Sequence, residues 1–589
     1  MSYLSSRHRR RFPPGRGPAA VMATALAATA ALLTGGSAEA VPTASTTLVV
    51  DAAQTLRPVT HVATGSLYGL ADNSTPADSL VQALKPNTFV QMAPGGSQLP
   101  NGEPKPAGDA LVVAAKAARA GAKVVVRMPD WYPNFPYRWV SWSDWLSAVD
   151  KQVAAVKASG ATNISAYELW NEPDWTWDTA NAGAFNAGWA RTFKQVRAKD
   201  TTTPIQGPSY SAWNQSWMSS FLTDAKASGT VPDVIAWHEL QGSQNIAAHV
   251  SAYRALESSL GISPRPIDIE EYGTPAEMGN SGALIGYAAK FERTGVRDAE
   301  LAFWNHYGTL GDTLTDTGGS PNGSYWTYKW YGDMSGSMLV TTPPAQTGID
   351  GLASRNSAGN QISVIAGGCT GSCAVTVNGL NSLSAFGGTV HVKLEYSPGT
   401  GRTTASPGPI TVSEADYTVS NGSVTVPVAM NATDGYHLVI TPSGTSTSLA
   451  GRYQITNRNS GLALATLNAG TAQGTSVVQA TSTTGTDQNW TLVAAGSGLY
   501  KIVNQKSGLL LGITDAGTAD GGTALIWGDN GTADHLWQLV PARDGYYKIA
   551  NYNSGRLLGV DQMSTASGAQ VLQWSDNGTA DHLWRLTAR

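Results

Sequence analysis

Between Ser45 and Gly336, short apolar runs alternate with stretches of helical period. The runs are "HVATGSLYG" (from His61), "TFVQMAP" (Thr88), "AKVVVRMPDW" (Ala122), "ISAYELWNEPD" (Ile164), "TPIQGPSYS" (Thr203), "PDVIAWHEL" (Pro232), "RPIDIEEYG" (Arg265) and "AELAFWNHYG" (Ala299). Segments such as "AGDALVVAAKAARAG" (Ala107–Gly121) and "WSDWLSAVDKQVAAVKASG" (Trp142–Gly160) repeat their apolar positions every three to four residues and predict intervening helices. Eight apolar runs joined by helical crossovers predict a (β/α)8 TIM barrel over residues 41–336. After Gly336 the period drops to two, in "QISVIAGG", "TVHVKLEYS", "GSVTVPVAM" and "GYHLVITPSG", which predicts a β-sandwich over 337–442. "TTLVVDAA", within 45–55, is a candidate extra strand for that sandwich, and the Ser/Thr/Gly-rich segment 443–451 reads as a linker. The chain is therefore expected to be multidomain: barrel, sandwich, and a third unit over 452–589.

The first forty residues have another character. A basic stretch, "RHRRRF", precedes the apolar run Ala19–Leu33 and the small-residue site "SAEA", the pattern of a secretory signal peptide over 1–40. The expectation is a secreted, extracellular, monomeric protein with no membrane partner. With 38 basic and 42 acidic residues, the chain carries no field suited to nucleic acid. Only two cysteines occur, Cys369 and Cys373 in "GGCTGSCAV"; in an exported chain this close pair predicts a disulfide pinning a hairpin, and CxxxC alone lacks the further ligands a metal needs. Nineteen tryptophans and 21 tyrosines against nine phenylalanines favour flat faces with polar handles, which suit sugar rings.

"WGDNGTADHLWQL" (Trp527–Leu539) returns as "WSDNGTADHLWRL" (Trp574–Leu586), and a weaker copy ends in "TGTDQNWTL" (Thr484–Leu492). Three copies of a β-rich unit predict threefold pseudo-symmetry. Residues 452–589 resemble the ricin-type β-trefoil lectins, carbohydrate-binding module family 13, whose units end in Gln-x-Trp. Here the motif stands as Gln488-Asn489-Trp490, His535-Leu536-Trp537 and His582-Leu583-Trp584. The resemblance implies a core role for these closing tryptophans and a sugar-stacking aromatic upstream of each, held by Trp527 and Trp574 but by Ala480 in the first unit. The aspartate expected after the "SGxxL" turn is replaced by Ala465, Gly512 and Gly559. Asp515 or Asp561 is a candidate substitute, and Asn530, His535, Asn577 and His582 are candidate polar contacts.

At the carboxyl ends of the barrel runs stand Arg127 and Asp130, Asn171 and Glu172, His238 and Glu239, Glu270 and Glu271, and Trp304, Asn305 and His306. That is where such barrels carry their chemistry. "LWNEPDW" and "IDIEEYG" together resemble clan A of the retaining glycoside hydrolases, and barrel plus sandwich most resembles glycoside hydrolase family 39. The resemblance implies Glu172 as acid/base and Glu271, followed by an aromatic and glycine, as nucleophile, with Glu270 as the fallback. Glu270 is then expected on the opposite side of its strand, against a basic residue of a flanking helix. Pro173 is read as ending the strand, with Glu168 deeper in the barrel as a buried partner of an arginine. Asn171 is a substrate contact, Trp304 the floor of the sugar subsite, and His238 either orients the nucleophile or touches substrate. Arg127 either positions the nucleophile or pairs with Glu168. Two carboxyl groups suffice for this chemistry, so neither a metal nor a cofactor is expected. The expected function is retaining hydrolysis of arabinose-, xylose- or galactose-containing plant-type polysaccharide, with the trefoil holding the substrate. A lectin without turnover and a transglycosylase using the same pair are the alternatives.

Overall fold

The computed structural model describes residues 46–99, 107–302, 310, 313–443, 449–496, 498–542 and 546–589. The leader and Trp304, Asn305 and His306 lie outside the described residues.

Among the described residues the first strand is β1 (Thr47–Pro58), and eight strands then close into a parallel barrel: β2 (Gly65–Leu67), β3 (Thr88–Met92), β4 (Lys123–Arg127), β5 (Ile164–Glu168), β6 (Ile205–Tyr210), β7 (Val234–Glu239), β8 (Ile267–Tyr272) and β9 (Asp298–Leu301). Six of the eight are buried at every position, because helices cover the outside and neighbouring side chains fill the inside. The helices start and stop where their ends are satisfied. Asp109 accepts from the amides of Leu111 and Val112 to open Ala110–Arg119, and Ser141 accepts from Asp144 to open Trp142–Ser159. The latter stops at Gly160 in the left-handed region (φ 69°), which only glycine enters freely.

Inside, the barrel is more polar than hydrocarbon packing requires. Gln91, Arg127, Glu168, Gln206, His238, Asp268, Glu270 and Glu300 are all 2 % exposed or less. Such a column is stable only where charges are paired or neutralised.

After the barrel come β10 (Ser337–Thr342), β11 (Asp350–Arg355), β12 (Ile362–Gly367), β13 (Gly371–Asn378), β14 (Thr389–Ser397), β15 (Ile410–Thr418), β16 (Val424–Met430) and β17 (Gly435–Pro442). With β1 they form one hydrogen-bonded path of nine strands, β15-β14-β17-β12-β11-β10-β1-β13-β16, whose two halves share a core that includes Val50, Val364, Val377, Val392 and Val426. β1 runs antiparallel to β10 and parallel to β13, so the chain passes through this sheet before the barrel and returns to it afterwards. Asp350 of β11 takes ion pairs at 2.8 Å from both Lys290 and Arg293 of the helix Ser281–Thr294, which fastens sheet to barrel.

Cys369 and Cys373 are bonded to each other. The expected hairpin is absent, however. β12 pairs with β11 and β17, and β13 pairs with β1 and β16, so the disulfide ties the short crossover between strands that are not neighbours.

The last 140 or so residues are all short strands and 3-10 turns. Trp490, Trp537 and Trp584 are fully buried, and each donates its indole N–H to a carbonyl of its own unit, Leu464, Leu511 and Leu558 respectively, at 2.8–2.9 Å. No helix among the described residues is long and apolar enough to cross a membrane.

Candidate active site

β5 stops at Glu168, and the chain reaches Glu172 through three further residues. Glu172 sits at φ 51°, ψ 52°, a left-handed conformation that costs a glutamate on the order of 1–3 kcal/mol and persists only where its surroundings over-determine it. They do so here. The Glu172 amide donates to the Ser209 carbonyl at 2.8 Å, while its own carbonyl accepts from the Thr176 amide (2.9 Å) and hydroxyl (2.9 Å). Pro173 does not end the strand; it opens the one-turn helix Pro173–Thr176, where a missing N–H costs nothing. Glu172 Oε2 accepts from the Trp175 indole at 2.8 Å, and Oε1 lies 3.2 Å from His238 Nδ1.

The second carboxyl comes from β8. Its pairing shifts register between Ala236 and His238 against β7, and between Ile269 and Tyr272 against β9. The shift against β7 inserts an extra residue between Asp268 and Glu271, so Glu270 keeps the inward face of Asp268 while Glu271 is re-aimed, which corrects the expectation for Glu270. It does not point to a flanking helix. It is fully buried in the barrel interior, accepts from Gln206 Nε2 at 2.6 Å, and has Oε2 3.9 Å from His238 Nε2. Glu271 faces the rim: its Oε1 accepts from Arg127 Nη1 at 2.7 Å and lies 3.9 Å from His238 Nε2.

Both sequence alternatives for Arg127 hold at once, since its Nε donates to Glu168 Oε2 at 2.7 Å while Nη1 holds Glu271. His238 contacts the acid/base candidate more closely than the nucleophile candidate. One ligand atom each from Glu172, His238 and Glu271 lies within 4.8 Å of the others, so the two carboxyl groups face each other at short range. A cation placed among them would compete with Arg127 for Glu271.

Burial decides the charges around this pair. It holds the Glu168 carboxyl well above the usual range despite Arg127, and raises Glu270 despite Arg127 and His238. With both driven toward the neutral form, the Arg127 charge is left facing Glu271. Burial opposes charge on His238, but Glu271 and Glu172 outweigh it and raise the imidazole.

Sequence reasoning missed the shell around Asp130. Tyr68 donates to Asp130 Oδ2 at 2.6 Å and Tyr137 to Oδ1 at 2.9 Å, while burial pushes this carboxyl up to about 6. Tyr68, at φ 57° directly after β2, and Tyr137, in the aromatic stretch after β4, offered no motif. Asn171 is 2 % exposed and lies 3.4 Å from the Tyr137 hydroxyl. Trp175 was legible only as the last letter of "NEPDW".

In the trefoil, a pocket of about 250 Å³ is lined by Asp515, Trp527, Asn530, Asp534 and His535 among others. Trp527 and Trp574 are 40 % and 41 % exposed. Glycine at 512 has a steric cause: a Cβ there would stand 2.3 Å from His535 Cδ2, and Gly559 meets His582 at the same distance. The space of the absent aspartate is taken by this ring and by Asp534, whose Oδ2 accepts from the Ile513 amide at 3.3 Å, with Asp581 and Val560 repeating the contact at 3.4 Å. Asp534 is thus a pocket acid that sequence reading overlooked, and Asp581 holds the equivalent place in the third unit. Asn530 and Asn577 each turn Oδ1 onto the following Thr532 and Thr579. His535 and His582 are 2 % exposed, and burial lowers both imidazoles.

Among solved structures, N2152 from Neocallimastix frontalis is 36 % identical, with 68 % of this chain covering the whole of that one at a TM-score of 0.64. The chain belongs to the family of N2152. The ricin-type β-trefoil lectin domain-like family matches residues 437–527 and 533–589, which agrees with the resemblance drawn from the three repeats. Beyond this family, the chain is similar to a 3-O-alpha-D-galactosyl-alpha-L-arabinofuranosidase of Bifidobacterium longum subsp. longum, 29 % identical over 472 residues, 67 % of this chain and 40 % of that protein. A 3-O-beta-L-arabinopyranosyl-alpha-L-arabinofuranosidase of Bifidobacterium pseudocatenulatum is 28 % identical over 455 residues, 64 % of this chain and 46 % of that protein. The chain therefore spans less than half the length of either curated relative.

Proposed function

We propose that this protein is a secreted, retaining glycosidase of the family 39 type that cleaves α-L-arabinofuranosidic bonds in plant polysaccharide side chains. The observation that carries the reading is the facing pair Glu172 and Glu271, with ligand atoms within 4.8 Å. That spacing suits direct attack on the sugar, since an inverting pair stands about 6.5–9.5 Å apart to admit a water. Glu271, held by Arg127, attacks the anomeric carbon as Glu172 passes its proton to the leaving oxygen. A glycosyl ester forms and the aglycone departs as an alcohol. Glu172, now a carboxylate, takes a proton from water, whose oxygen attacks the anomeric carbon and frees Glu271 with the anomeric configuration retained.

The names of the two relatives support arabinofuranose bearing a 3-O-linked sugar as the unit recognised. The basic and apolar leader supports export, and the pocket beside Trp527, with the equally exposed Trp574 of the third unit, supports substrate capture by the trefoil.

The test is product release from plant arabinogalactan and an aryl α-L-arabinofuranoside, with the first-formed anomer followed by NMR. Wild type is expected to release product of retained configuration. Glu172→Gln should lose about a thousandfold in kcat/KM on the polysaccharide, and Glu271→Gln should abolish turnover on both substrates. Inverted product, or full activity in Glu271→Gln, overturns the reading.

A further inference from the structure

Resting on that reading, we propose that Trp175 is a positioning residue for Glu172 and the platform on which the leaving-group sugar stacks. Glu172 separates two environments. Oε1 faces His238, which is fully buried, and Oε2 faces Trp175, which is 53 % exposed. Glu271 and Glu172 both open at the rim above buried His238, and Trp175 flanks Glu172 on the side away from that histidine. A glycone held between the two glutamates leaves the departing sugar, attached at the oxygen that Glu172 protonates, on the Trp175 side of Glu172, beside the exposed indole.

The indole is held for this task. Trp175 sits three residues after Glu172 on the single turn Pro173–Thr176, a spacing that puts both side chains on one face. Asp174, between them, accepts from the Ser211 amide at 2.9 Å and from its hydroxyl, pinning the turn to the segment after β6. Phe135 meets the Trp175 ring edge-to-face, with centroids 5.2 Å apart at 90°. The ring is nonetheless 53 % exposed, a solvation cost for a large aromatic that core packing does not repay.

The indole N–H is a donor only. It fixes the carboxyl plane of Glu172 and so orients the group that gives its proton to the leaving oxygen and then takes one from water. Trp175→Phe keeps most of the stacking area and removes this donor; Trp175→Ala removes both.

The experiment compares these variants with wild type on an arabinofuranosyl oligosaccharide and on a dinitrophenyl α-L-arabinofuranoside, whose leaving group needs no proton. For Trp175→Phe, kcat on the oligosaccharide is expected to fall at least about threefold while KM changes little. For Trp175→Ala, kcat/KM on the oligosaccharide should fall at least about tenfold, with KM rising, while formation of the glycosyl ester from the dinitrophenyl substrate falls far less. An unchanged kcat in Trp175→Phe, or equal losses on both substrates in Trp175→Ala, overturns the proposal. If wild type turns over neither substrate, the glycosidase reading has failed, and the platform proposal with it. Thermal midpoints of both variants identify a loss due to unfolding, in which case Trp175→Phe alone decides.

Discussion

At the residue scale, the adjacent glutamates of "IEEYG" differ in what surrounds them. Glu270 is fully buried, raised by burial and bonded to Gln206, while Glu271 reaches the rim and takes the Arg127 guanidinium. A neutral amide can replace a carboxyl that is already driven toward neutrality. Glu270→Gln is therefore expected to lower kcat by less than about tenfold, whereas Glu271→Gln, which removes the proposed nucleophile, is expected to abolish turnover. Steady-state rates of the two variants on one aryl glycoside check this. Comparable losses would show that the proton on Glu270 is itself used in turnover.

At the scale of elements, the lower barrel concentrates unbalanced acid. Burial holds Glu300 well above the usual range, with Asp268 and Asp298 reinforcing it, and also raises Asp268 itself. A carboxyl raised in the fold binds protons that the unfolded chain has released. Its contribution is present at low pH and is lost as pH climbs from about 4, where unfolded carboxyls titrate, through the folded value. Asp130, raised to about 6, acts in the same direction, and so does His238, raised by Glu271 and Glu172 against burial. The thermal midpoint of the wild type should thus be higher at pH 5 than at pH 8. Glu300→Gln keeps the shape and removes the proton linkage, so its midpoint should fall less over the same interval. Parallel curves for the two proteins would mean that Glu300 is ionised throughout.

For the whole molecule, the trefoil repeats one device three times with unequal endowment. The second and third units present half-exposed Trp527 and Trp574 beside Asp534 and Asp581, whereas the first has Ala480 in the aromatic position. Two sites on one rigid unit capture a polymer with higher effective concentration than either alone. Trp527→Ala and Trp574→Ala are each expected to weaken retention on insoluble arabinogalactan partially, and the double variant far more than either. Pull-down over a range of polymer concentrations reads this out. Retention unaffected in the double variant would assign capture to another surface.

By itself the sequence determined the periodicities, and these are local properties. A period near 3.6 alternating with buried runs set the barrel and its eight strands, a period of two set the sheet, and near-identical repeats set the trefoil. The motifs "WNEPD" and "EEYG" were legible because residues adjacent in the chain carry them. What the tertiary structure decided involves groups far apart in sequence or faces reset by irregularities. Arg127 meets Glu271 only when the barrel closes, and no pattern near either residue shows that one guanidinium serves both Glu168 and Glu271. Glu270 shares the inward face of Asp268, and the register shift in β8 turns Glu271 to the rim beside it, so the two adjacent glutamates do not take opposite faces. The partners of β12 and β13 turned an expected hairpin into a crossover. At Gly512 a histidine ring from a later turn excluded the expected aspartate and left Asp534 in its space. Short-range propensity fixes which elements form, whereas contacts across the fold, where burial and charge act together, fix what each side chain faces.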